Sequence, residues 1–229
     1  MMDRPDLEAG RQLETRQNMD TKTIARFIVL EMSGVVLIGV ALFWSAGRID
    51  WWAAWALVAL TAAWVGATAI VILRSDPSLL AERMGAGRGG ALWDTVIMST
   101  VGLLELARLI VAGLDRRYGW TGSFPTVVQG VAAAVSALGY ALVVWATASN
   151  PFFSQIMRIQ TERGHTVAAG GPYQFLRHPA YIGTILYQLA VPILLDSQWA
   201  LIPGSLNVVL VVLRTGLEDR ALRNELAGY

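Results

Sequence analysis

The sequence predicts an all-α protein, a polytopic bundle of transmembrane helices with about six apolar segments. Of its 229 residues, 55% are hydrophobic and only 15% are charged, whereas soluble domains carry about 25% charged residues. Several apolar runs also reach the roughly 20 residues that an α-helix needs to cross a bilayer. The chain therefore lacks the polar cover of a soluble domain and is expected to be an integral membrane protein.

Four apolar segments of spanning length come first, at residues 24–46, 51–73, 95–114 and 125–148. Three tryptophans at the start of the second segment, Trp51, Trp52 and Trp55, are typical of a membrane–water interface. Asn150 and Pro151 are expected to end the fourth segment, because the residue before a proline is biased away from helical backbone.

Two shorter apolar runs follow, at residues 180–195 and 199–214. At 1.5 Å per residue each run is about 24 Å long, which is less than the ~30 Å hydrocarbon core. The runs are either two thin spans or a re-entrant hairpin, and both alternatives return the chain to the side from which it came. Residues 215–229 are expected to form a separate amphipathic cytosolic helix.

Residues 1–23 are polar and contain no apolar block, so they are expected to form a cytoplasmic N-terminal tail rather than a signal peptide. Residues 24–229 are expected to form a single membrane-embedded domain. With six crossings, most of the 18 Lys and Arg residues lie on the face that holds both termini and the connection at 150–179. The positive-inside rule places that face in the cytoplasm and the protein in the inner (cytoplasmic) membrane.

Composition excludes several kinds of site and partner. The chain has no cysteine, so disulfides, thiolate catalysis and cysteine-ligated metals are excluded. With His165 and His178 as its two histidines, it is expected to bind no metal. The net charge of +1 comes with no domain-wide basic face, so no nucleic-acid partner is expected. The expected partners are membrane lipids and a hydrophobic small molecule, and the oligomeric state stays open.

The connection at 150–179 is the longest between apolar segments and leads into a stretch rich in glycine, proline and tyrosine at 170–183. A loop of this length inside a compact bundle is usually functional or disordered, and its apolar content argues against disorder. Two interpretations are open. Either Arg177 is a snorkelling anchor and His178 caps the helix that Pro179 begins, or the turn, the aromatic rings and the glycines form a cofactor pocket.

Charged residues near the apolar segments leave similar alternatives. Glu218 follows the last run by about one helical turn. It is either an i,i+4 surface partner of Arg214 or a carboxylate on the face of His178 that binds an amino group or a ribose hydroxyl. Glu105 and Arg108 lie i,i+3 within the third segment, where charges are functional candidates by default. An internal pair between these two side chains is the favoured interpretation.

The motifs of the C-terminal half are Gly171-Pro172-Tyr173, Arg177-His178-Pro179 with Tyr181 and Gly183, Glu218-Asp219, and Leu226-Ala227-Gly228-Tyr229. Together they resemble the isoprenylcysteine carboxyl methyltransferase family and its bacterial relatives, within a wider group that includes phospholipid N-methyltransferases. The resemblance covers roughly residues 90–229. Family members usually continue with an aromatic- and arginine-rich tail that helps to close the active site, whereas the sequence given ends at Tyr229.

The resemblance implies an S-adenosylmethionine (SAM)-dependent methyltransferase whose cofactor-binding block lies at 150–229 and faces the cytosol. A lipid-side tunnel between helices would admit a lipid-like or isoprenoid acceptor. The expected catalytic residues are Glu218, together with Arg177 and Arg214 as cations that could hold the acceptor, and the resemblance implies the residues that bind the cofactor. The cofactor-binding residues are Gly171, Pro172, Tyr173, His178, Pro179, Tyr181, Gly183 and Glu218.

Methyl transfer from a sulfonium is an in-line displacement, so it depends mainly on positioning. A carboxylate acceptor needs only a cation, for which Arg177 and Arg214 are the candidates. An amine or hydroxyl acceptor needs a base, and the candidates are Glu218, Glu105 and His178.

Two other functions stay open. An NADPH-dependent membrane reductase of the isoprenoid or sterol type would need a phosphate site, for which Arg158 and Arg163 are the candidates. A non-enzymatic lipid-binding membrane protein would depend on neither His178 nor Glu218 for ligand binding.

Overall fold

The computed structural model describes residues 21–75 and 90–229, and within them it contains six α-helices, two short 3-10 helices and no strand. The predicted all-α bundle is therefore confirmed. The α-helices are α1 (Thr21–Ala46), α2 (Trp52–Ser75), α3 (Leu92–Tyr118), α4 (Thr126–Ser149), α5 (Pro179–Leu194) and α6 (Leu201–Glu225). The 3-10 helices are η1 (Thr161–Arg163) and η2 (Gly171–Gln174).

Five of these helices, namely α1, α2, α3, α4 and α6, are long and apolar enough to cross a membrane, and α5 is a shorter apolar helix of 16 residues. Large apolar side chains such as Val29, Trp44 and Val127 lie exposed on the outside of the bundle, as a lipid-facing surface requires. The predicted polytopic membrane protein is confirmed. Of the predicted tail at 1–23, residues 21–23 belong to α1 and the rest lies outside the described residues.

The last helix corrects one prediction. The sequence predicted a 16-residue run followed by a separate helix at 215–229, but α6 is one continuous helix of 25 residues, or about 37 Å. Gly216 is the weakest helix former at the expected break, and a single exposed glycine costs only about 1 kcal/mol relative to alanine. From Glu218 onward the helix carries charged residues and faces water instead of lipid, but it does not end there. As a result α6 is no thin span, and it carries Arg214 and Glu218 on one rigid element.

Glycines bring α4 and α5 into close contact. A Cβ atom on Gly183 would overlap the backbone carbonyl oxygen of Gly139, so the two helices touch backbone to backbone at this point. Small residues at such crossings are typical of helix packing in membranes. The contact fixes the position of α5, which begins at Pro179, one residue after His178 of the sequence motif.

A buried polar network joins α3 to α5 within the bundle. Arg108 is fully buried, forms an ion pair with Glu105, and donates a hydrogen bond to the side-chain oxygen of Gln188 at 2.7 Å. Tyr187 donates a hydrogen bond to Glu105 at 3.0 Å. The favoured interpretation, an internal Glu105–Arg108 pair, is confirmed. Such a network satisfies charges that would otherwise be very costly in the membrane.

A second buried carboxylate, that of Asp115, lies near the C-terminal end of α3. Asp115 is buried and accepts hydrogen bonds from the backbone N–H of Thr121 at 2.7 Å and from the hydroxyl of Ser197 at 2.6 Å. Asp196 in turn accepts a hydrogen bond from the backbone N–H of Phe124 at 2.6 Å. These bonds join the α3–α4 loop to the α5–α6 turn, so they stabilise the end of the bundle that is remote from the sequence motif.

Candidate functional site

A cavity of about 310 Å³ lies where α4 ends, α5 begins and α6 ends. This volume falls at the lower end of the range typical of small-molecule sites, roughly 300–1,000 Å³. Its walls combine apolar and polar side chains. They are Asn150, Phe152, Phe153, Ser154, Ile156, Met157, Arg158, His165, Thr166, Val167, Ala168, Ala169, Tyr173, Arg177, His178, Ala180, Tyr181, Arg214, Glu218, Leu222, Leu226 and Tyr229.

The loop at 150–178 supplies most of one wall, and it is held in place by its own polar contacts. Gln160 is fully buried and donates a hydrogen bond to the carbonyl of Phe152 at 2.9 Å. Arg163 is hydrogen-bonded to Gln160 and donates to the carbonyl of Pro151 at 3.1 Å. Arg163, a candidate phosphate ligand of a reductase, makes these hydrogen bonds within the loop and does not line the cavity.

His165 belongs to this loop, and its ring contacts other residues of the loop. Its Nδ1 accepts a hydrogen bond from the backbone N–H of Gln160 at 3.3 Å, and its ring stacks on Phe152 with centroids 4.5 Å apart. Burial, and then the charges of Arg163 and Arg158, lower the pKa of His165 below its ordinary value. A lowered pKa keeps the ring uncharged, as its acceptor role requires.

The glycine–proline turn places Tyr173 in the cavity wall. Gly171 has a φ of 57°, a backbone conformation that favours glycine. A Cβ at this position would also overlap the hydroxyl of Ser149, so both the backbone and the packing require glycine in this turn. The hydroxyl of Tyr173 accepts a hydrogen bond from the side-chain amide of Asn150 at 3.4 Å. Burial raises the pKa of Tyr173 to about 12, so its hydroxyl stays protonated at neutral pH.

His178 directs its ring at two carboxylates. It occupies the N-cap position of α5, but its side chain forms no capping hydrogen bond. Instead Nδ1 lies 3.7 Å from Oε1 of Glu218, and Nε2 lies 3.6 Å from Oδ1 of Asp219. Tyr181 donates a hydrogen bond to Oε2 of Glu218 and stacks against His178 with ring centroids 5.6 Å apart. The motif residues of α5 and the carboxylate of α6 therefore meet at one point.

The mouth of the cavity is covered by Tyr229. Its hydroxyl donates a hydrogen bond to Asp219 at 2.8 Å and lies 3.1 Å from Nε2 of His178. The guanidinium carbon of Arg177 lies 5.7 Å from the centre of the Tyr229 ring, and Nη1 of Arg177 lies 3.3 Å from Asp219. Burial and the Asp219 carboxylate raise the pKa of Tyr229. Arg177 keeps a side chain that is 63% exposed, so it is accessible to a charged ligand at the mouth.

Arg214 pairs with a residue that the sequence did not single out. Its Nε donates to Oδ1 of Asp94 at 2.6 Å and its Nη2 to Oδ2 at 3.0 Å. The i,i+4 pair with Glu218, one of the two alternatives, is therefore replaced by a pair with α3. The sequence placed the third segment at 95–114, which left Asp94 in a loop, but α3 begins at Leu92 and holds Asp94 in its first turn.

The structure brings together six of the predicted site residues in the cavity wall, and four others lie outside it. Those in the wall are Tyr173, Arg177, His178, Tyr181, Arg214 and Glu218. Those outside it are Gly171, Pro172, Pro179 and Gly183. Gly171 and Pro172 build the turn η2, Pro179 begins α5 and Gly183 packs on α4, so these four shape the site without facing the cavity. Their roles in cofactor binding stay predictions.

Comparison with protein families gives a match over the region that contains this site. Residues 130–224 match the model of the isoprenylcysteine carboxyl methyltransferase (ICMT) family. This ICMT-family region contains most of α4, the 150–178 loop, α5 and nearly all of α6, which together form the cavity. The resemblance read from the motifs is confirmed over this region, and the match supports a membrane methyltransferase. Asp94 and Tyr229 lie outside it. Comparison with curated proteins and with solved structures gives no match.

Proposed function

We propose that the protein transfers a methyl group from SAM to a lipid-like or isoprenoid acceptor in this cavity. The observation that carries the proposal is the convergence of Tyr181, His178 and Glu218 on one cavity within the ICMT-family region. When bound, SAM supplies the electrophilic methyl group. The apolar outer surface supports an acceptor that reaches the site from the membrane.

The side chains of the cavity fit the chemistry of SAM. The cofactor carries a cationic amino group and a ribose, for which the Glu218 carboxylate is a suitable partner. Its sulfonium and its adenine suit aromatic faces, and Tyr173 and Tyr181 lie in the wall. Among the described residues, no group of three or more His, Asp or Glu side chains is placed to hold a metal ion.

The contacts of the candidate residues favour some of them over others for acting on the acceptor. A carboxylate acceptor needs a cation, and Arg177 is favoured over Arg214 because its side chain is 63% exposed, whereas Arg214 is buried and held by Asp94. An amine or hydroxyl acceptor needs a base, and His178 and Glu218 both lie in the cavity wall. Glu105 does not, because it is bonded to Arg108 and Tyr187 inside the bundle. We therefore withdraw Glu105 as a candidate base.

We also propose that the cavity faces the cytoplasm. At the cavity end, the described basic residues include Arg74, Arg158, Arg177 and Arg223, whereas the remote end holds a smaller group of Arg48, Arg116 and Arg117. The positive-inside rule assigns the more basic side to the cytoplasm. A cytoplasmic cavity would give the site direct access to a soluble cofactor.

The experiment that tests the function is a thermal-shift titration of the detergent-solubilised protein with SAM, with its demethylated product and with NADPH. A ligand that binds only the folded state stabilises it by about 2.7 kcal/mol at 100 times its Kd. We expect a saturable shift with SAM and its product, and its loss in Glu218→Gln. Arg48→Gln, an exposed change at the remote end, is the matched control. A shift with NADPH alone would instead establish the reductase, for which Arg158 in the cavity wall is the remaining phosphate candidate.

A further inference from the structure

Arg214 lies in the wall of the cavity, and its ion pair with Asp94, which lies behind that wall, is almost fully enclosed. Asp94 has no exposed surface and Arg214 is 8% exposed. Two hydrogen bonds join them, from Nε to Oδ1 at 2.6 Å and from Nη2 to Oδ2 at 3.0 Å. A buried guanidinium without such a partner would carry a large uncompensated desolvation cost. Asp94 therefore determines where the charge of Arg214 is satisfied.

The same two side chains hold the loop that forms the cavity wall. Oδ2 of Asp94 accepts a hydrogen bond from the backbone N–H of Met157 at 2.6 Å. Nη2 of Arg214 donates to the carbonyl of Gln155 at 2.9 Å. Close packing of Gly90 on Ile156 strengthens this contact, because a Cβ on Gly90 would overlap the Ile156 side chain. The pair thus connects the start of α3, the loop and α6.

Arg214 also lies near Glu218, the carboxylate that we propose binds the ligand. Its guanidinium carbon is 5.4 Å from the centre of the Tyr181 ring, and the Tyr181 hydroxyl is hydrogen-bonded to Glu218. Glu218 is four residues after Arg214 on α6, and charges at i and i+4 on a helix are neighbours. Without Asp94, the nearest carboxylate on the same helix that could satisfy Arg214 would be Glu218.

We propose that Asp94 is a positioning residue that keeps Arg214 away from Glu218. While Asp94 holds the guanidinium, Glu218 stays bonded to Tyr181 and its carboxylate is available to a ligand in the cavity. This inference rests on the proposed function, because the ligand in question is SAM. It assigns a role to a residue of α3 that lies outside the ICMT-family region.

The test begins with Asp94→Asn, measured by calorimetric titration of the full-length, detergent-solubilised protein with SAM. Losing one charge-assisted hydrogen bond that the ligand donates to Glu218 corresponds to about a 10- to 100-fold rise in Kd. Asp115→Asn is the matched control, since it removes a buried carboxylate from the other end of the same helix. We expect Asp115→Asn to lower thermal stability and to leave the Kd for SAM within about twofold.

A second variant separates positioning from a merely structural role. In Asp94→Asn with Arg214→Gln, the released guanidinium is gone, so Glu218 returns to Tyr181 and most of the lost affinity is recovered. If Asp94 served only to stabilise the wall, removing both partners would leave the affinity as low as in the single variant or lower. An unchanged Kd in Asp94→Asn, or no recovery in the double variant, overturns the inference. Should Asp94→Asn fail to fold, the double variant alone decides by whether it still binds SAM.

A ligand-free measurement distinguishes failure of this inference from failure of the proposed function. We expect Glu218→Gln to lower the melting temperature more in the Asp94→Asn background than in the wild type, because only there does Arg214 pair with Glu218. Equal effects in both backgrounds would show that the two carboxylates are not coupled, and they would overturn the inference whatever ligand the cavity binds. If the variants show this coupling but the wild type does not bind SAM, the proposed function alone is overturned.

Discussion

A methyl group added at Gly183 tests whether the α4–α5 contact sets the geometry of the site. In Gly183→Ala the new Cβ would overlap the carbonyl oxygen of Gly139 and lie 3.0 Å from a methyl carbon of Val143. The first obstacle is backbone, which cannot rotate away as a side chain can. The two helices must therefore separate, and α5 carries His178 and Tyr181 at its cavity end.

The expected cost follows from the size of the overlap. Inserting a methylene-sized group into a well-packed core usually destabilises a protein by about 1–3 kcal/mol. Because this clash is with backbone, we expect a destabilisation in the upper part of that range, about 2–3 kcal/mol. For a chain of this length, each 1 kcal/mol corresponds to about 2–4 °C in Tm. We therefore expect Gly183→Ala to lower Tm by about 4–12 °C and to weaken SAM binding as well.

The matched control is Gly130→Ala on α4, where nothing lies within 4 Å of the added Cβ. This change should be neutral or stabilise by up to ~1 kcal/mol, because alanine has the higher helix propensity. Thermal unfolding of both variants in the same detergent, followed by calorimetric titration with SAM, measures both effects. If Gly183→Ala is as stable as Gly130→Ala, the packing argument is wrong. If it loses SAM affinity at unchanged Tm, Gly183 is a ligand contact, as the sequence resemblance implied.

Three further predictions concern the cavity. Tyr181→Phe removes the hydrogen bond to Glu218 and should raise the Kd for SAM about 3- to 10-fold at nearly unchanged Tm; an unchanged Kd would contradict the role of Tyr181. Because the folded-state pKa of His165 lies below its unfolded value, stability should be full above about pH 6.5 and fall as the pH drops below it. Tm measured between about pH 7.5 and 5 should lose part of this dependence in His165→Gln, and an identical profile would contradict the assignment. Arg177→Gln should raise the KM for a carboxylate acceptor with little change in Tm, since the Arg177 side chain is 63% exposed. An unchanged KM would contradict the role of Arg177 as the cation that binds the acceptor.

Hydrophobicity was sufficient to predict most of the fold, since apolar runs of spanning length have few alternatives to a helix in a membrane. The boundaries were less predictable. Asp94 was assigned to a loop because the apolar pattern begins after it, yet backbone hydrogen bonding starts α3 at Leu92. Likewise the polar residues after Arg214 suggested a new element, whereas a helix that leaves the membrane simply continues into water.

The motif predicted the place of the site but not its contacts. His178, Tyr181 and Glu218 meet as the resemblance implied, because α5 and α6 form a hairpin that returns to its starting side. The partner of Arg214 could not be predicted from one sequence, since Asp94 is separated from it by 120 positions. Local spacing favours the i,i+4 neighbour, and only the packing of α3 on α6 shows which carboxylate is close enough to bind the guanidinium.

The most direct test of the central claim is transfer of a labelled methyl group from SAM to a membrane lipid extract by the purified protein. We predict label in the organic phase with the wild type and with Arg48→Gln, and a fall on the order of 100-fold with Glu218→Gln, because misplacing a reactant by about 1 Å can cost that much. Release of the label as methanol in mild base would identify a carboxylate acceptor, whereas base-stable label would indicate an amine or an ether. No transfer by the wild type, or equal transfer by Glu218→Gln, would contradict the assignment of this cavity as a methyltransferase site.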